Sequence, residues 1–192
     1  METKILRAGG YPVSTWAGGT TTQLYIYPEQ ADYKRRDFIF RLSSATVDCE
    51  ESVFTPLPGV DRLIMVLQGA LRICYKGHGE VELQPYEQNS FSGDWDTVSY
   101  GRATDFNLML REGARGSLEA IPLGPGESRR IQNSAGCMAA LYPAEGECAL
   151  DAGGAQGLLG TKDLAIVSDA GTMVLHNGGA APCRVVCARV TL

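Results

Sequence analysis

Residues 63–79 read LIMVLQGALRICYKGHG, and this stretch decides the fold class. The continuous apolar run at 63–67 is typical of a buried strand, and it stops at the turn residues of 68–70. Residues 71–75 then alternate apolar and polar side chains, and residues 76–79 have the composition of a hairpin turn. The stretch therefore predicts short strands joined by tight turns.

The same pattern recurs along the chain. Glycine occurs 23 times and proline 9 times, at short intervals that separate strand-like runs. Further runs of this kind lie at 38–43, 81–83, 106–110, 138–142, 164–167, 173–175 and 184–190. Long helical periodicity is absent, so the sequence predicts an all-β chain arranged as a sandwich or a barrel.

Composition and charge exclude several classes of protein. The chain has 192 residues, of which 44% are hydrophobic and 20% charged, and this is a globular composition. A net charge of -5 argues against nucleic acid and against an anionic membrane surface as partners. No run approaches the roughly 20 apolar residues that span a bilayer, and residues 1–7 lack the apolar core of a secretory signal. The six cysteines are scattered without a CxxC motif, so we expect a cytoplasmic protein.

A faint internal repeat divides the chain. Residues 61–69 can be aligned with residues 162–171, because each segment begins with a charged pair, continues as an apolar strand and ends in a small-residue turn. No linker separates the halves, so we expect two halves, 1–112 and 113–192, that share a core in a single compact unit. Edge strands of such halves often pair between subunits, and the sequence leaves a homodimer open.

Polar side chains interrupt several of these strands. In the strand at 38–43, period-two alternation puts the two phenylalanines and the leucine on one face and Arg41 on the other. By the same rule Asn107 and Arg111 share a face of their strand, and Arg62 precedes the apolar run quoted above. Each of these strands therefore places an arginine or an amide beside apolar neighbours.

A buried guanidinium needs an acceptor, because burying an unpaired charge is costly. Asp61, Asp94 and Asp105 are the internal candidates. One interpretation is a structural network of ion pairs, and the other is a cationic pocket that binds a small carboxylate in the bidentate geometry of arginine. Spacing alone leaves both open.

Three other segments contain groups capable of chemistry. Residues 16–24 combine two glycines with three threonines and Gln23, which suits either a strand entry or a polar binding loop. Residues 89–96 form a turn with carboxylates and two aromatic side chains. His78 and His176 each lie in a glycine turn, and Cys183 and Cys187 stand too far apart on one strand to chelate one ion, so no metal site is predicted.

Segments in the first 110 residues resemble the HutD/Ves family. They are WAGGTTTQL at 16–24, FRLSSA at 40–45, FTPLPGVDR at 54–62, FSGD at 91–94 and DFNLM at 105–109, in family order. The resemblance implies an all-β, double (bicupin) RmlC-like jelly-roll barrel. It also implies a regulatory or sensing role in histidine utilisation or in stress responses, through binding a small acidic intermediate such as formylglutamate or urocanate.

The chain departs from the family at two points. Metal cupins carry a histidine-rich ligand set near the strand that begins at Asp61 here, and no such histidines occur, so we expect no metal and no cofactor. The family often has a glutamate where this chain has Gln23, and often a longer glycine run after the tryptophan. Without that carboxylate, the chain lacks a general base or arginine partner that the family would supply.

Three functions follow from these residues. The sequence favours a metal-free protein, rather than an enzyme, that binds a small acidic metabolite: Arg41 and Arg62 hold its carboxylate with help from Arg111. Neutral groups orient the ligand, and these are Thr22, Gln23, Ser43 and Asn107. Two aromatic side chains, Trp16 and Phe91, form the apolar walls of the pocket. Two carboxylates, Asp61 and Asp94, fix the arginines. The alternative is a metal-independent enzyme in which Asp94 or Asp61 is the general base and an arginine holds an oxyanion. The third is a structural module whose buried arginines are all satisfied internally.

Overall fold

Nineteen β-strands form the regular structure of the part of the chain that the computed structural model describes, residues 2–192. They begin with β1 (Glu2–Leu6), β2 (Val13–Trp16), β3 (Gly19–Tyr27), β4 (Phe40–Val47), β5 (Glu51–Val53), β6 (Asp61–Gly69), β7 (Leu71–Tyr75), β8 (Gly79–Leu83), β9 (Gln88–Ser92) and β10 (Thr97–Tyr100). They continue with β11 (Ala103–Leu110), β12 (Arg115–Leu123), β13 (Ser128–Asn133), β14 (Cys137–Glu145), β15 (Cys148–Ala152), β16 (Ala155–Leu159), β17 (Leu164–Ser168), β18 (Gly171–His176) and β19 (Cys183–Thr191). The predicted all-β class is confirmed, and none of these residues forms a helix that could cross a membrane.

The chain divides into two units that differ from the expected halves. Residues 11–114 form one unit, and residues 115–192 form the other together with the N-terminal residues up to Gly10. The first strand belongs to this second unit because β1 pairs antiparallel with β17, from Glu2 opposite Ser168 to Leu6 opposite Leu164. The two units meet in sequence at 114/115, and residues 2–10 belong to the unit that contains residues 115–192.

Each unit contains two separate sheets, so the expected closed barrel is replaced by open sheets. In the 11–114 unit, a six-stranded sheet has the order β2-β3-β4-β11-β6-β9, and a four-stranded sheet has the order β5-β10-β7-β8. In the other unit, the orders are β1-β17-β14-β19-β12 and β13-β18-β15-β16. The hydrogen-bonded ladders end at edge strands in all four sheets, which is why neither unit closes into a continuous cylinder.

The two units repeat one strand order. The order β4-β11-β6-β9 of the first unit corresponds to β12-β19-β14-β17 of the second, and β5-β10-β7-β8 corresponds to β13-β18-β15-β16. This repeat pairs β6 with β14, whereas the alignment of residues 61–69 with 162–171 pairs β6 with β17. The sequence alignment therefore matches two strands that are not equivalent in the repeated strand order.

The interiors of the units differ in polarity. In the C-terminal unit, one apolar cluster contains residues of both sheets, among them Leu141, Leu150, Met173 and Val185. In the 11–114 unit, an apolar cluster that includes Ile64, Val66 and Ile73 fills only part of the interior. The strands β4, β11 and β6 present polar side chains beside it, and these line a cavity.

Candidate functional site

A cavity of about 310 Å³ lies within the 11–114 unit. Its polar lining comes from Ser14, Thr21, Arg41, Ser43, Ser52, Thr55, Arg62, Asp105 and Asn107. Its apolar lining includes Trp16, Tyr33, Phe54, Leu57 and Met109. This size and this mixture of apolar walls with a few convergent polar groups are typical of a small-molecule site.

The register of three strands aligns the polar groups. Met109 of β11 lies opposite Arg41 of β4 and also opposite Arg62 of β6. One row of the sheet therefore carries an arginine on each side of a methionine. Asn107 lies in the next row, opposite Ser43, and Asp105 follows it by one more row on the same face.

Arg62 is a buried cation without a hydrogen-bonding partner at its Nε atom. The residue is 8% exposed, and the Nε atom is buried with no acceptor among residues 2–192. Its guanidinium carbon lies 4.8 Å from the ring centroid of Phe54 and 5.0 Å from that of Phe91. Burial, with a smaller contribution from the like charge of Arg41, lowers the pKa of Arg62 to about 10, so the group remains charged at neutral pH.

Arg41 is 5% exposed and is held by neutral groups. Its Nε donates to Gln23 Oε1 at 2.8 Å, and its Nη1 donates to Ser43 Oγ at 3.2 Å. The guanidinium carbon lies 4.3 Å from the ring centroid of Tyr33, and burial lowers the pKa of Arg41. These partners fix the guanidinium plane without neutralising its charge.

Asp105 is the carboxylate of the cavity. It is 2% exposed, and Asn107 Nδ2 donates a hydrogen bond to its Oδ1. Burial raises the pKa of Asp105 to about 7, against the opposing attraction of Arg62 and hydrogen bonds from the Ala45 backbone and Asn107. The raised pKa makes this carboxyl group a weaker counter-charge to the two arginines than a solvent-exposed carboxylate would be.

The β2–β3 hairpin brings Trp16 and Thr21 to the cavity. Trp16 Nε1 donates to Thr21 Oγ1 at 3.3 Å across this hairpin. A Cβ at Gly18 would come within 2.3 Å of the Trp16 ring, and a Cβ at Gly19 would lie 1.9 Å from the Thr46 carbonyl oxygen. Glycine at both positions therefore allows the indole to fold over the turn and the turn to approach β4.

Five of the predicted site residues line the cavity together: Trp16, Arg41, Ser43, Arg62 and Asn107. Gln23 does not line the cavity, but it holds Arg41 in place. Thr22 is not part of the lining, whereas its neighbour Thr21 is, because successive side chains of a strand point to opposite faces. Thr21, one residue before the predicted Thr22, is therefore the threonine of this run that faces the cavity.

The remaining four predicted residues lie elsewhere. Asp61 is exposed and precedes Arg62 in β6, so alternation turns it to the opposite face. Asp94 is exposed and accepts hydrogen bonds from Ser92 Oγ at 3.0 Å and from the Gly59 backbone N–H at 3.5 Å. Neither carboxylate forms an ion pair with Arg41 or Arg62 within the described residues, so the expectation that they fix these guanidinium planes is wrong.

Phe91 and Arg111 also fall outside the lining. Phe91 is buried beneath the Arg62 guanidinium and contacts the Tyr75 ring at 5.0 Å between centroids. Arg111 follows the end of β11, and its guanidinium carbon lies 5.7 Å from the Phe38 ring centroid. Phe91 therefore supports a cavity residue from behind, and Arg111 is placed beside a different aromatic side chain.

Some lining residues are absent from the predicted set. The sequence gives Asp105 as an internal acceptor for an arginine and not as a ligand-binding residue, although it shares a strand face with Asn107 and Met109. Tyr33 and Phe54 lie outside the strands, and no periodic signal marks them. Ser52 lies in the three-residue strand β5, which is too short to show a pattern.

The donor set of the cavity does not suit a metal ion. Two guanidinium groups repel a cation, and the hydroxyl and amide groups leave Asp105 as the anionic ligand in the lining. In addition, residues 2–192 contain no group of three or more His, Cys, Asp or Glu side chains that could hold a metal. The arrangement suits an anion instead.

Comparison with solved structures places the chain among cupin-fold proteins. A conserved protein of unknown function from Pseudomonas aeruginosa PAO1 is 24% identical with a TM-score of 0.87, and the alignment covers 100% of both chains. HutD from Pseudomonas fluorescens SBW25 is 22% identical with a TM-score of 0.76, over 99% of this chain and 98% of that one. Oxalate decarboxylase from Bacillus subtilis is 8% identical with a TM-score of 0.74, over 96% of this chain and 76% of that one.

Sequence comparison gives the family. No curated protein matches the chain significantly. The family model described as HutD matches residues 9–183, a span that includes every residue lining the cavity. The chain therefore belongs to the HutD family.

Proposed function

We propose that the 11–114 unit binds a small carboxylate-bearing metabolite between Arg41 and Arg62, without a metal ion. The observation that carries this proposal is a pair of buried arginines at one cavity, neither of which forms an ion pair with a carboxylate of the described residues. Two desolvated cations with Asp105 as the one carboxylate in the lining remain under-compensated, and a bound anion would offset this cost. A ligand carboxylate supplies this charge through bidentate hydrogen bonds.

Surrounding groups adapt the cavity to a small organic anion. Tyr33, Phe54 and Met109 provide apolar contact area, while Ser43 and Thr21 offer neutral hydrogen bonds. The low dielectric of the buried cavity strengthens the attraction between the guanidinium groups and a carboxylate. Oxalate decarboxylase, whose name gives a small carboxylate as its substrate, provides a precedent for this class of ligand on the same fold.

The biological role that we propose is regulation or sensing linked to histidine utilisation or to a stress response. Membership of the HutD family supports this role. We also propose that the chain is a bicupin, because the two units share one order of eight strands. In this arrangement the 11–114 unit carries the ligand, and the apolar interior of the other unit makes it a scaffold.

Thermal-shift and calorimetric screening of mono- and dicarboxylates, including histidine-pathway compounds, tests the proposal. We expect a ligand that stabilises the wild-type protein to lose at least about tenfold in affinity in Arg62→Met, because removing a buried charge-assisted contact costs several kcal/mol. Arg41→Lys keeps the positive charge but cannot form the bidentate hydrogen bonds of a guanidinium. We expect it to lose less affinity than Arg62→Met.

Arg72→Ala is the matched control. Arg72 also lies against an aromatic ring, 4.7 Å from the Tyr100 centroid, but it is exposed and outside the cavity lining. This variant should bind the ligand as the wild type does. The proposal fails if no carboxylate stabilises the protein, or if Arg62→Met binds the ligand with unchanged affinity.

Asp105 supports a second candidate, a metal-independent enzyme acting on a small acidic metabolite. Its raised pKa of about 7 is suited to general-base catalysis, and Arg41 and Arg62 could hold an oxyanion beside it. In this alternative Asp105 takes the role that the sequence gives to Asp94 or Asp61. Turnover of a bound carboxylate by chelator-treated protein, abolished in Asp105→Asn, would favour the enzyme over the binding protein.

A further inference from the structure

We propose that Cys148 and Cys183 form an oxidative modification site in the C-terminal unit, at which a peroxide converts the two thiols into a disulfide that links the two sheets. Cys148 begins β15, and Cys183 begins β19. These strands belong to different sheets of the unit, with the orders β13-β18-β15-β16 and β1-β17-β14-β19-β12. The site lies outside the cavity of the 11–114 unit and does not depend on the proposed function.

The two thiols are in direct contact inside the unit. The Cys148 thiol donates a hydrogen bond to Cys183 Sγ. Both residues are 1% exposed, and both belong to the apolar cluster that contains residues of the two sheets. The sulfur atoms that a disulfide would join are therefore already neighbours in the folded protein.

The turn between β14 and β15 keeps Cys148 beside the start of β19. In the β14–β19 ladder, Glu145 lies opposite Arg184, the residue that follows Cys183. A Cβ at Gly146 would lie 3.0 Å from Cys183 Cα and 3.2 Å from Cys183 Cβ, so a glycine here lets the turn approach β19 closely. Because Cys148 is two residues beyond Gly146, backbone packing fixes its position relative to Cys183.

The hydrogen bond makes the two thiols chemically unequal. It lowers the pKa of Cys183, whose sulfur accepts the bond, and it raises the pKa of Cys148 together with burial. The thiolate is the form of cysteine that attacks peroxides, so Cys183 is the attacking sulfur and Cys148 is its partner. Glu147 and Pro182, which precede the two cysteines, are exposed, so local opening of these turns admits a molecule as small as hydrogen peroxide.

The reaction balances with hydrogen peroxide as the oxidant. The Cys183 thiolate attacks one peroxide oxygen, an S–O bond forms as the O–O bond breaks, and the released hydroxide takes a proton from solvent to become water. The Cys148 sulfur then attacks the sulfenic acid at Cys183, so that the S–S bond forms and the S–O bond breaks. The hydroxyl group leaves with the Cys148 proton as water. Two thiols and one peroxide thus give one disulfide and two waters.

The remaining four cysteines have different surroundings. In three of them the Sγ atom contacts an oxygen of another residue; these are Cys49, Cys74 and Cys137. The fourth, Cys187, is buried, and burial raises its pKa to about 11, so it remains a thiol at neutral pH. We therefore expect the disulfide of the oxidised protein to join Cys148 to Cys183.

Peptide mapping of the full-length protein tests the site. The reduced protein is treated with hydrogen peroxide, its free thiols are blocked by alkylation, and its digest is analysed by mass spectrometry without reductant. We expect the peptides that carry Cys148 and Cys183 to be joined with the loss of two hydrogen atoms. Because the bond restricts the unfolded chain, the oxidised protein should melt about 5 °C or more above the reduced one, and a reductant should reverse this shift.

Variants distinguish the attacking sulfur from its partner. In Cys148→Ala no second thiol reacts with the sulfenic acid, so dimedone, which labels sulfenic acids, should modify Cys183. In Cys183→Ala neither the linked peptides nor a dimedone adduct at Cys148 should form. Cys187→Ala is the matched control, because Cys187 is buried in the same apolar cluster, and it should retain both the link and the shift in melting temperature.

The mapping of the wild-type protein stands even if a variant does not fold. Free thiols at both positions, under peroxide treatment that oxidises the partly exposed Cys74, would overturn the site, as would a link between any other two cysteines. A link that leaves the melting temperature unchanged overturns the bracing of the two sheets. Dimedone labelling of Cys148 in Cys183→Ala overturns the assignment of Cys183 as the attacking sulfur.

Discussion

The guanidinium of Arg41 is oriented by uncharged groups, and this is the central feature at the scale of single residues. Gln23 Oε1 accepts from Nε at 2.8 Å, and Ser43 Oγ accepts from Nη1 at 3.2 Å. An amide and a hydroxyl thus fix the plane of the side chain by neutral hydrogen bonds. Because they carry no charge, the field of Arg41 remains directed at the cavity.

Gln23→Glu should therefore weaken anion binding while leaving Arg41 in place. The new carboxylate would pair with the buried guanidinium and neutralise it, and it would repel the ligand carboxylate. We expect about a tenfold loss of affinity for any stabilising carboxylate in calorimetric titration. Since the ion pair replaces a neutral hydrogen bond, the free energy of unfolding without ligand should not fall.

An exposed glutamine provides the control for the change in net charge. Gln132→Glu adds the same negative charge on the C-terminal unit, outside the cavity lining. This variant should bind the carboxylate with wild-type affinity. Equal weakening in both variants would mean that net charge, and not the neutral partner of Arg41, controls binding.

Asp105 should make stability depend on pH in the acidic range. Burial raises its pKa to about 7 from an ordinary value of 3.8. The folded state therefore binds more protons than the unfolded chain between these values, and the contribution of this group to the free energy of unfolding is lost as the pH rises through that window. The slope can reach about 1 kcal/mol per pH unit.

Chemical denaturation at several pH values between about 4 and about 7 measures this contribution. Asp105→Asn keeps an oxygen that can accept from Asn107 but does not titrate, so its stability should fall less over the same window. The difference between the two proteins isolates Asp105 from the other carboxylates. Parallel curves for the two proteins would show that Asp105 is ionised throughout this range.

At the scale of the strands, the sequence predicts the faces of β4 and β11 well. Phe40 and Leu42 are buried on one face, while Arg41 and Ser43 line the cavity on the other. The period of two is a fixed geometric property of an extended chain, so it holds without knowledge of the neighbouring strands. This is why Arg41, Ser43 and Asn107 could be selected from the sequence.

The strand β3 shows where this reasoning stops. Its pairing with β4 shifts register between Gln23 and Tyr25, after the threonine run, so the faces of Thr21 and Thr22 follow regular alternation. The sequence shows a run of threonines but not which of them faces the cavity, and Thr21 takes the place expected of Thr22. Tyr33 and Phe54 reach the cavity from segments between strands, and spacing along the chain does not predict such contacts.

The arginine partners were the other failure of local reasoning. Asp61 and Asp94 are close to Arg62 or to the FSGD turn in sequence, but alternation and turn geometry direct them away from the cavity. The carboxylate that does line the cavity, Asp105, comes from a strand that is distant in sequence and adjacent in the sheet. The sequence names Asp105 as one of three candidate acceptors, but the pairing of non-sequential strands decides which of the three lies beside the arginines.

At the scale of the whole molecule, one strand order serves two different interiors. The strands β4, β11 and β6 present arginine, serine, asparagine and aspartate to a cavity, whereas their counterparts β12, β19 and β14 contribute residues to an apolar cluster. The β2–β3 hairpin extends the sheet of the 11–114 unit beside β4, and it supplies Trp16 and Thr21 to the site. The same strand order therefore accommodates either a polar cavity or an apolar interior, depending on the side chains that the strands carry.

Deleting residues 2–8 should destabilise the C-terminal unit selectively. The deletion removes β1 from its place beside β17 and removes the Arg7–Asp163 ion pair, whose atoms lie 2.6 Å apart. It also removes Ile5 from the apolar cluster of that unit, a loss of about 1–2 kcal/mol for a partly buried side chain. Hydrogen exchange followed by mass spectrometry should show faster exchange in β17 and β14.

Peptides from β4, β6 and β11 serve as the internal reference in the same experiment. Their exchange should stay at the wild-type rate, because none of these strands pairs with β1. The single substitution Arg7→Ala, which removes the ion pair but keeps β1, should accelerate exchange in the same strands by a smaller factor. Uniform acceleration across both units would contradict the assignment of β1 to the C-terminal unit alone.

The position of β1 also constrains how the gene could be divided. Two self-sufficient tandem copies could be expressed as separate polypeptides after one break in the coding sequence. Here a break at 114/115 separates the C-terminal fragment from β1, its edge strand, because β1 remains on the N-terminal fragment. A split-reporter or intein design at this junction would therefore have to supply the first ten residues in trans, and reassembly of the fragments would report on the capture of that single strand.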